Sequence, residues 1–590
     1  MALSELQKKI VEAKGKVVVK ACPGSGKTYS VAARIAYLLK TNTFRHNGIS
    51  AISFTDSSWR EINEKIESDF NVSTPLTYPH FVGGVDSFLN KFIFFPYGHL
   101  VMQCDRRPEI IGEDFHNRLY WENPRRYGYK GLCSYIDPME HLENVSYDKD
   151  GNPLAIADPK VFNFCWSKIH TKKGAYIKRV QEILEVKEEF KQKGYANQSD
   201  ANYYSLKILQ EYPQIVQNIV SRFPFLIIDD AQDINDIQME IIDLLVENGL
   251  EEIMLIGDPN QAIFEWKHAD PELFEEKYNE WHSISLNENL RCSASICTCA
   301  NAFISKEVSK PQEDGELVDF DCLPIARAVD FEDVESVKHV IDLFLDDCKG
   351  REIAITKDHV AVLYRSENHE KYFGVEKIEF NDQPWKTGAF HLRDIVKGKY
   401  LIEQGEIKDG FKLLEQGYFK GIYKLTYAKQ EDIQKVIDDE GFILYRKKLY
   451  DFIDQLPSCN MRLYDWLNLA KPILEKLGIV IDITVSKSKV MIGRLFNLGM
   501  MEELPYYHGT IHSSKGRTFE AVLVLLGERA SDFGTYKNLF NVEYEELESK
   551  KQEELRIVYV AITRPRKILN IGVPQADYEI WQKKLQLDEL

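Results

Sequence analysis

The residues best suited to chemistry lie in an eight-residue stretch that follows a short β-branched run, Val17-Val18-Val19. The stretch reads Ala21-Cys22-Pro23-Gly24-Ser25-Gly26-Lys27-Thr28, and an amphipathic segment of helical period follows it over 31–39. A strand, a glycine-rich turn and a helix in this order aim backbone N–H groups and the positive end of the helix dipole at one point, where an anion is favoured. Lys27 can reach the β- and γ-phosphate oxygens, and the Thr28 hydroxyl can hold Mg²⁺. The stretch therefore predicts a nucleotide-binding loop.

This loop departs from the common pattern at one position, since Ala21 stands where G-x-x-x-x-G-K-[ST] begins with glycine. Gly24 and Gly26 still let the backbone approach phosphate oxygens. The competing interpretation is a chance glycine-rich turn ahead of a helix. Just before the loop, Gln7 lies at the opening of a short predicted helix, and its amide could donate to and accept from an adenine edge.

A second group of reactive side chains follows the apolar run Phe225-Leu226-Ile227-Ile228, which leads straight into Asp229 and Asp230. In a nucleotide-binding sheet, this position suits one carboxylate that holds a metal ion and one that activates water. The alternative is an ordinary strand that ends in an acidic turn. That alternative loses weight because a phosphate loop precedes the strand in the chain.

A further predicted strand over 253–256 ends in a segment that reads Gly257-Asp258-Pro259-Asn260-Gln261-Ala262-Ile263-Phe264-Glu265-Trp266-Lys267. Gln261 could sense a γ-phosphate. Phe264 and Trp266 offer flat faces on which the bases of a single strand can stack, although both could instead belong to a core. Arg291, a little further on, is a candidate second cation for the phosphates.

Strand and helix patterns alternate along the first part of the chain, with a strand over 49–56, a charged helix over 59–66 and a strand-like end over 82–88. This alternation predicts a parallel α/β sheet whose ligands lie beyond the carboxyl ends of the strands. The alternation stops between about 90 and 200, where 182–193 is expected to form a solvated helix. We interpret that stretch as an insertion, and a second one, rich in Lys and aromatic residues, is expected over 390–500.

Composition sets the broad class. The chain has 590 residues, with 44% hydrophobic and 12% aromatic residues, which is typical of an ordinary folded protein. The net charge of −18 argues against a protein that coats nucleic acid through its overall field, but it does not exclude a local basic channel. No apolar run is long enough to cross a membrane, and the ten Cys show no framework spacing, so we expect a cytoplasmic protein. Cys292, Cys297 and Cys299 are expected to be small buried residues rather than metal ligands.

Taken together, these segments make the chain resemble the superfamily 1A helicases, the UvrD/PcrA/Rep group of ATP-driven DNA translocases. Two late blocks complete the set: Gly509-Thr510-Ile511-His512-Ser513-Ser514-Lys515-Gly516, and Glu553-Glu554-Leu555-Arg556-Ile557-Val558-Tyr559-Val560-Ala561-Ile562-Thr563-Arg564. The blocks that carry the resemblance are 21–28, 52–56, 85–88, 228–233, 257–267, 289–291, 509–516 and 553–564, with a strand at 360–365. They cover roughly half of the chain and are specific as an ordered set.

The resemblance implies two RecA-like parallel-sheet domains of the P-loop NTPase class, with ATP and Mg²⁺ between them and two mainly α-helical insertions. The implied boundaries are 1–90 and 201–285 for the first domain, 286–389 and 501–590 for the second, and 91–200 and 390–500 for the insertions. It assigns Asp229 to Mg²⁺ and makes Asp230 the general base. Gln261 then senses the γ-phosphate, while Arg291 and Arg564 act across the cleft as arginine fingers. The residues that it places on DNA are Phe54, Thr55, Ser87, Trp266, Thr510 and His512.

Several positions depart from the family pattern. Asp230 stands where the family usually has Glu, so the base is shorter by one methylene, or about 1.3–1.5 Å. Since a misplacement near 1 Å can cost about 10²-fold in rate, we expect slow or tightly gated hydrolysis. Leu290 replaces a Tyr that usually stacks on adenine, Thr518 replaces a Glu near the ribose, and Asp86 replaces a His.

Two functions remain open at this point. The first is an ATP-dependent translocase or helicase on single-stranded or tailed duplex DNA, with 3′-to-5′ polarity implied by the family alone. The second is a nucleic-acid-sensing ATPase subunit that regulates a separate nuclease, as in bacterial anti-phage defence complexes such as Gabija. A P-loop kinase or transporter ATPase does not explain 257–267 and 509–516.

Overall fold

The structure is a computed structural model that describes 3–54, 56–73, 76–110, 145–155, 190–263, 269–304, 308–311, 322–365, 390–425, 430–496, 504–527 and 544–585, with a few single residues between these ranges. Within it the chain divides into two compact units. One unit comprises Met1–Arg365 and Tyr506–Leu590, and the other is Ser366–Pro505. The predicted residues Thr55, Phe264 and Trp266 lie outside the described residues.

The strands of the described residues are β1 (Lys16–Ala21), β2 (Ile49–Ser53), β3 (Phe81–Gly84), β4 (Glu109–Ile110), β5 (Val145–Tyr147), β6 (Pro153–Ala155), β7 (Tyr195–Ala196), β8 (Phe225–Asp229), β9 (Glu252–Gly257), β10 (His282–Leu286), β11 (Glu288–Asn289), β12 (Lys310–Pro311), β13 (Ile325–Val329), β14 (Val360–Tyr364), β15 (Tyr507–Thr510), β16 (Phe519–Leu525) and β17 (Pro565–Pro574).

The α-helices are α1 (Glu5–Glu12), α2 (Lys27–Thr41), α3 (Asp56–Phe70), α4 (Val85–Leu89), α5 (Phe95–Met102), α6 (Gln198–Glu211), α7 (Pro213–Arg222), α8 (Asp236–Glu247), α9 (Pro271–Glu280), α10 (Ala294–Phe303), α11 (Val334–Gly350), α12 (Phe390–Glu403), α13 (Ile407–Tyr423), α14 (Gln430–Glu440), α15 (Phe442–Gln455), α16 (Leu463–Lys476), α17 (Ile492–Leu495), α18 (Ser549–Ile562) and α19 (Tyr578–Leu585).

The first sheet has six parallel strands in the order β10-β1-β9-β8-β2-β3. Both of its faces are covered, because successive side chains of a strand point to opposite sides. Val17 and Val19 pack with α2 and α3, whereas Val18 belongs to the core on the other face. The register sets Ser53 beside Asp229 and Asp229 beside Ile256, so the predicted site residues emerge along one carboxyl edge.

The second sheet has five parallel strands in the order β13-β17-β16-β14-β15. Its core joins β14, β16 and β17 to helices α10, α18 and α19, and Phe303 stacks on the fully buried Trp581 with ring centroids 5.9 Å apart. Cys292, Cys297 and Cys299 are buried in this core, and the described residues hold no group of three or more metal-ligating side chains. The expected mixed α/β fold with parallel sheets is therefore confirmed.

Two local expectations in the first half were wrong. The strand-like end expected over 82–88 stops at Gly84, and Val85–Leu89 is helical, because the extended backbone at Gly84 starts a helix. The expected solvated helix near 182–193 is not fully solvated among its described residues. Lys187 is buried there against Asp200, with Nζ 2.6 Å from the carboxylate, and Phe190 is also buried.

The unit Ser366–Pro505 is helical over its described residues, with α12–α17 around a core that contains Leu392, Leu463 and Trp466. α12 and α13 approach backbone to backbone. A Cβ at Gly398 would lie 2.7 Å from the Gly410 carbonyl oxygen, and a Cβ at Gly410 would lie 2.7 Å from that of Gly398. In the part of the chain that the structure describes, no helix has the length and apolar character needed to span a bilayer.

Gly257 offers a test of how the first sheet supports its carboxyl edge. A Cβ there would lie 2.6 Å from Gln232 Oε1 and 2.9 Å from the Gln232 backbone nitrogen. We expect Gly257→Ala to lower the free energy of unfolding by about 1–3 kcal/mol, because backbone must shift to make room. Gly350→Ala is the matched control, since nothing lies within 4 Å of its Cβ position. Urea denaturation that shows equal midpoints for the two variants would contradict this expectation.

Candidate nucleotide-binding site

The predicted phosphate loop lies between the end of β1 at Ala21 and the start of α2 at Lys27. Gly24 and Gly26 have φ values of 71° and 77°, a left-handed backbone that favours glycine. The Ser25 hydroxyl donates to the Cys22 carbonyl at 2.8 Å, and so the turn is closed from within. The loop is thereby shaped before any ligand binds, with the N-terminus of α2 at its end.

Lys27 bridges the loop to the acidic end of β8. Its Nζ lies 2.5 Å from Asp230 Oδ1 and 3.8 Å from Asp229 Oδ1. Burial alone would lower the pKa of Lys27, but the two carboxylates outweigh it and raise that pKa. Lys27 therefore neutralises the carboxylates that were predicted to act on metal and water.

The two carboxylates have opposite environments. Burial and the neighbouring Asp230 raise the pKa of Asp229 to about 7. Burial would also raise the pKa of Asp230, but Lys27, Lys515 and hydrogen bonds from Lys27 and Ser58 hold it well below its usual range. Asp230 is therefore the carboxylate of the pair that Lys27 holds ionised.

Asp229 fits the expected Mg²⁺ ligand. Its Oδ2 is buried and has no hydrogen-bond partner, a costly state that a bound cation would relieve. Mg²⁺ prefers oxygen ligands and commonly binds one or two carboxylates together with phosphate oxygens and waters. Asp229 at the end of β8 and the half-buried Thr28 at the start of α2 are the residues that would hold it.

The predicted γ-phosphate residues come together. Gln261 is buried, donates to Asp258 at 2.6 Å and accepts from Arg564 Nη2 at 2.8 Å. Arg564 follows α18, so it reaches Gln261 from the second sheet's side. Burial and the charge of Arg291 lower the pKa of Arg564 to about 9. Arg291 in turn donates to the Thr563 carbonyl at 3.3 Å.

Two residues that the sequence interpretation gave no role also join the sheets. Lys515 is buried, lies 2.6 Å from Asp233 and donates to the Gln261 carbonyl at 3.1 Å. Arg556 donates to the Ala262 carbonyl at 2.8 Å. With Gln261–Arg564, these pairs form what we call the inter-sheet contact. In the sequence, each late block contains a charged residue, Lys515 in one and Arg556 in the other. The block pattern alone does not indicate which residue each of these charges contacts.

Gln7, whose amide was predicted to face an adenine edge, has both amide atoms hydrogen-bonded within the protein. Its Oε1 accepts from the Ser4 backbone N–H at 3.0 Å in a capping box, and its Nε2 donates to the Ser25 carbonyl at 3.3 Å. Both amide atoms therefore support α1 and the loop. An adenine contact by Gln7 remains a prediction, and it requires the hydrogen bond to Ser25 to be exchanged.

The residues predicted to contact DNA have mixed surroundings. Ser87 is exposed on α4, whereas Phe54 is half-buried against the core of the first sheet. Thr510 ends β15, and its hydroxyl accepts from the Ser513 backbone N–H at 3.3 Å. His512 bonds to the backbone of Ile263, and burial, reinforced by Arg365, lowers its pKa to about 4. His512 thus lies beside the inter-sheet contact, and its DNA role remains a prediction.

Comparison with known proteins agrees with this geometry. Residues 3–282 match the model of the UvrD/REP helicase N-terminal domain. A probable DNA helicase II homolog of Mycoplasma genitalium is 23% identical, covering 96% of this chain and 84% of the relative. The ATP-dependent DNA helicase PcrA of Staphylococcus epidermidis is 21% identical, covering 96% and 82%. A putative ATP-dependent DNA helicase, YjcD of Bacillus subtilis, is 22% identical, covering 96% and 78%.

The matched region holds the phosphate loop, the acidic end of β8 and Gln261, and the relatives match over 96% of the chain. Residues 3–282 are therefore similar to the UvrD/REP helicase N-terminal domain, and the relatives that match 96% of the chain are named as DNA helicases.

Proposed function

We propose that this chain is an ATP-dependent translocase or helicase that moves 3′-to-5′ on single-stranded DNA and hydrolyses ATP between two RecA-like domains. The observation that carries the proposal is the hydrogen bond of Arg564 to Gln261, which brings a cation from the second sheet to the phosphate side of the first. The named activities of the relatives support an ATP-driven DNA helicase. The polarity rests on the resemblance alone.

Each group at the site has a task in phosphoryl transfer. Lys27 would turn from Asp230 to neutralise the β- and γ-phosphates, and Thr28 and Asp229 would hold Mg²⁺, which would supply further positive charge to the phosphates. Asp230 accepts a proton from the attacking water. At the same time the oxygen of that water bonds to the γ-phosphorus, and the bond between the γ-phosphorus and the ADP oxygen breaks, which releases ADP. Arg291 and Arg564 stabilise the charge that develops on the phosphoryl oxygens.

Hydrolysis becomes coupled to movement because the site is assembled from both sheets. Arg564 and Lys515 reach Gln261 only when the two sheets are close. ATP binding favours this closed arrangement, and product release favours an open one. The affinity of each domain for the DNA strand therefore alternates during the cycle. We assign contact with DNA to Phe54, Thr55, Ser87, Phe264, Trp266, Thr510 and His512.

Lys27→Ala tests the nucleotide site. We expect kcat for ATP hydrolysis, measured with single-stranded DNA in excess, to fall by about 10²- to 10³-fold because one preorganised charge is lost from the phosphates. Lys9→Ala, which removes an exposed lysine of α1, is the control and should retain full activity. A DNA-stimulated rate that survives Lys27→Ala unchanged would reject the proposed site.

A strand-displacement assay tests polarity and separates the two functions that remain open. With ATP, the purified chain should displace the strand of a 3′-tailed duplex but not that of a 5′-tailed or blunt duplex. Displacement from the 5′ tail would contradict the polarity. DNA-stimulated hydrolysis without displacement, together with a nuclease that co-purifies, would instead favour the sensor subunit of a defence complex.

A further inference from the structure

We propose that Ser58 is a positioning residue for Asp230 and that its hydroxyl links the segment after β2 to ATP hydrolysis. The inference rests on the proposed function, in which Asp230 is the general base. It adds a residue outside the phosphate loop and the acidic block, and it explains how a base one methylene shorter than usual can be held in place.

The contact itself is short and buried. Ser58 Oγ donates to Asp230 Oδ2 at 2.7 Å, and both side chains are buried, at 7% and 5% exposure. The other oxygen, Oδ1, receives Lys27 at 2.5 Å and Gln232 Nε2 at 3.3 Å. Each carboxylate oxygen therefore has its own set of donors, and only Oδ2 is held by a neutral hydroxyl.

This division matters when ATP binds. Lys27 turns to the phosphates, so Oδ1 loses its strongest partner, while the Ser58 hydroxyl can remain on Oδ2. One fixed oxygen sets the plane of the carboxylate, and Oδ1, which keeps only the longer contact from Gln232 Nε2 at 3.3 Å, can accept a proton from water. Asp230 also has a φ of 56°, an uncommon backbone for a residue other than glycine, so its orientation depends on such side-chain contacts.

The position of Ser58 connects this contact to nucleic acid. Ser58 lies in the first turn of α3, four residues after Phe54, which is predicted to contact DNA. β2, which precedes Phe54, pairs with β8, and Ser53 is the register partner of Asp229. A shift of the segment after β2 on DNA binding is therefore carried to Asp230 through Ser58, across a distance of one hydrogen bond.

The first test compares Ser58→Ala with Ser58→Thr in the full chain, by steady-state ATP hydrolysis with and without single-stranded DNA. We expect Ser58→Ala to lower the DNA-stimulated kcat by about 10- to 100-fold, the effect of losing one hydrogen bond to a charged group. The KM for ATP should change by less than about twofold, because Ser58 lies outside the phosphate loop and its hydroxyl donates to Asp230. Ser58→Thr keeps the hydroxyl and should restore most of the loss.

Ser50→Ala is the matched control, because Ser50 is a buried β2 serine whose hydroxyl has no hydrogen-bond partner. Its kcat should equal that of the unaltered chain. An unchanged kcat in Ser58→Ala, or an equal loss in Ser50→Ala and Ser58→Ala, would overturn the inference.

The second test combines Ser58→Ala with Asp230→Glu and keeps the inference falsifiable if one variant folds poorly. The extra methylene of Glu moves the carboxylate by about 1.3–1.5 Å and so disturbs the 2.7 Å hydrogen bond from Ser58, and Ser58→Ala should therefore lower kcat less when Asp230→Glu is also present than it does alone. A merely structural role predicts the same loss in both backgrounds, which would overturn the inference. Absence of any DNA-stimulated hydrolysis in the unaltered chain would instead overturn the proposed function on which the inference rests.

Discussion

The constraint on which the site depends is that buried charges must be paired. Lys27, Asp230, Asp233 and Lys515 are all largely buried, and each ion pair joins segments far apart in the chain. Removing one partner of such a pair costs about 3–5 kcal/mol, because a charge is left without water or a counterion. Lys515 has a counterion, Asp233, beside the first sheet, so the same requirement that stabilises the site also holds the two sheets together.

This arrangement makes the site responsive to phosphate. Under the proposed function, the negative charge of a nucleotide would compete with Asp230 for Lys27 and with the protein's own acceptors for Arg291 and Arg564. Binding would then be an exchange of partners, and the buried Asp229 Oδ2 would gain a partner in Mg²⁺. The Ser58 hydroxyl would keep its hydrogen bond to Asp230 while the cations change partners.

Local patterns were enough to predict the parts of the fold that depend on near neighbours in sequence. The β-branched run before Ala21, the apolar run before Asp229 and the strand at 360–365 are strands because each is buried on both faces of a parallel sheet. Val85–Leu89 was mistaken for the end of a strand because a segment with so few apolar residues does not distinguish strand from helix. The family resemblance added Arg564, which no local pattern could have joined to Gln261.

The sequence could not predict contacts between residues that are distant in the chain. Lys515 with Asp233, Arg556 with Ala262 and Ser58 with Asp230 each depend on where two elements meet. The engagement of Gln7 with Ser25 is of the same kind, since it follows from how α1 packs beside the loop. Residue type alone predicts whether each of these side chains can donate, accept or carry a charge. It does not predict which residue each one contacts.

The central claim is that the first sheet is enough to bind the nucleotide, whereas hydrolysis also requires Arg564 from the second sheet. The most direct measurement is ATP hydrolysis by Arg564→Lys in the presence of single-stranded DNA, with nucleotide affinity measured in parallel by a fluorescent ATP analogue. The account predicts that kcat falls by about 10²-fold or more while the Kd for the nucleotide changes by less than about threefold, because the guanidinium acts on the transition state. A loss of nucleotide affinity with an unchanged kcat would contradict it.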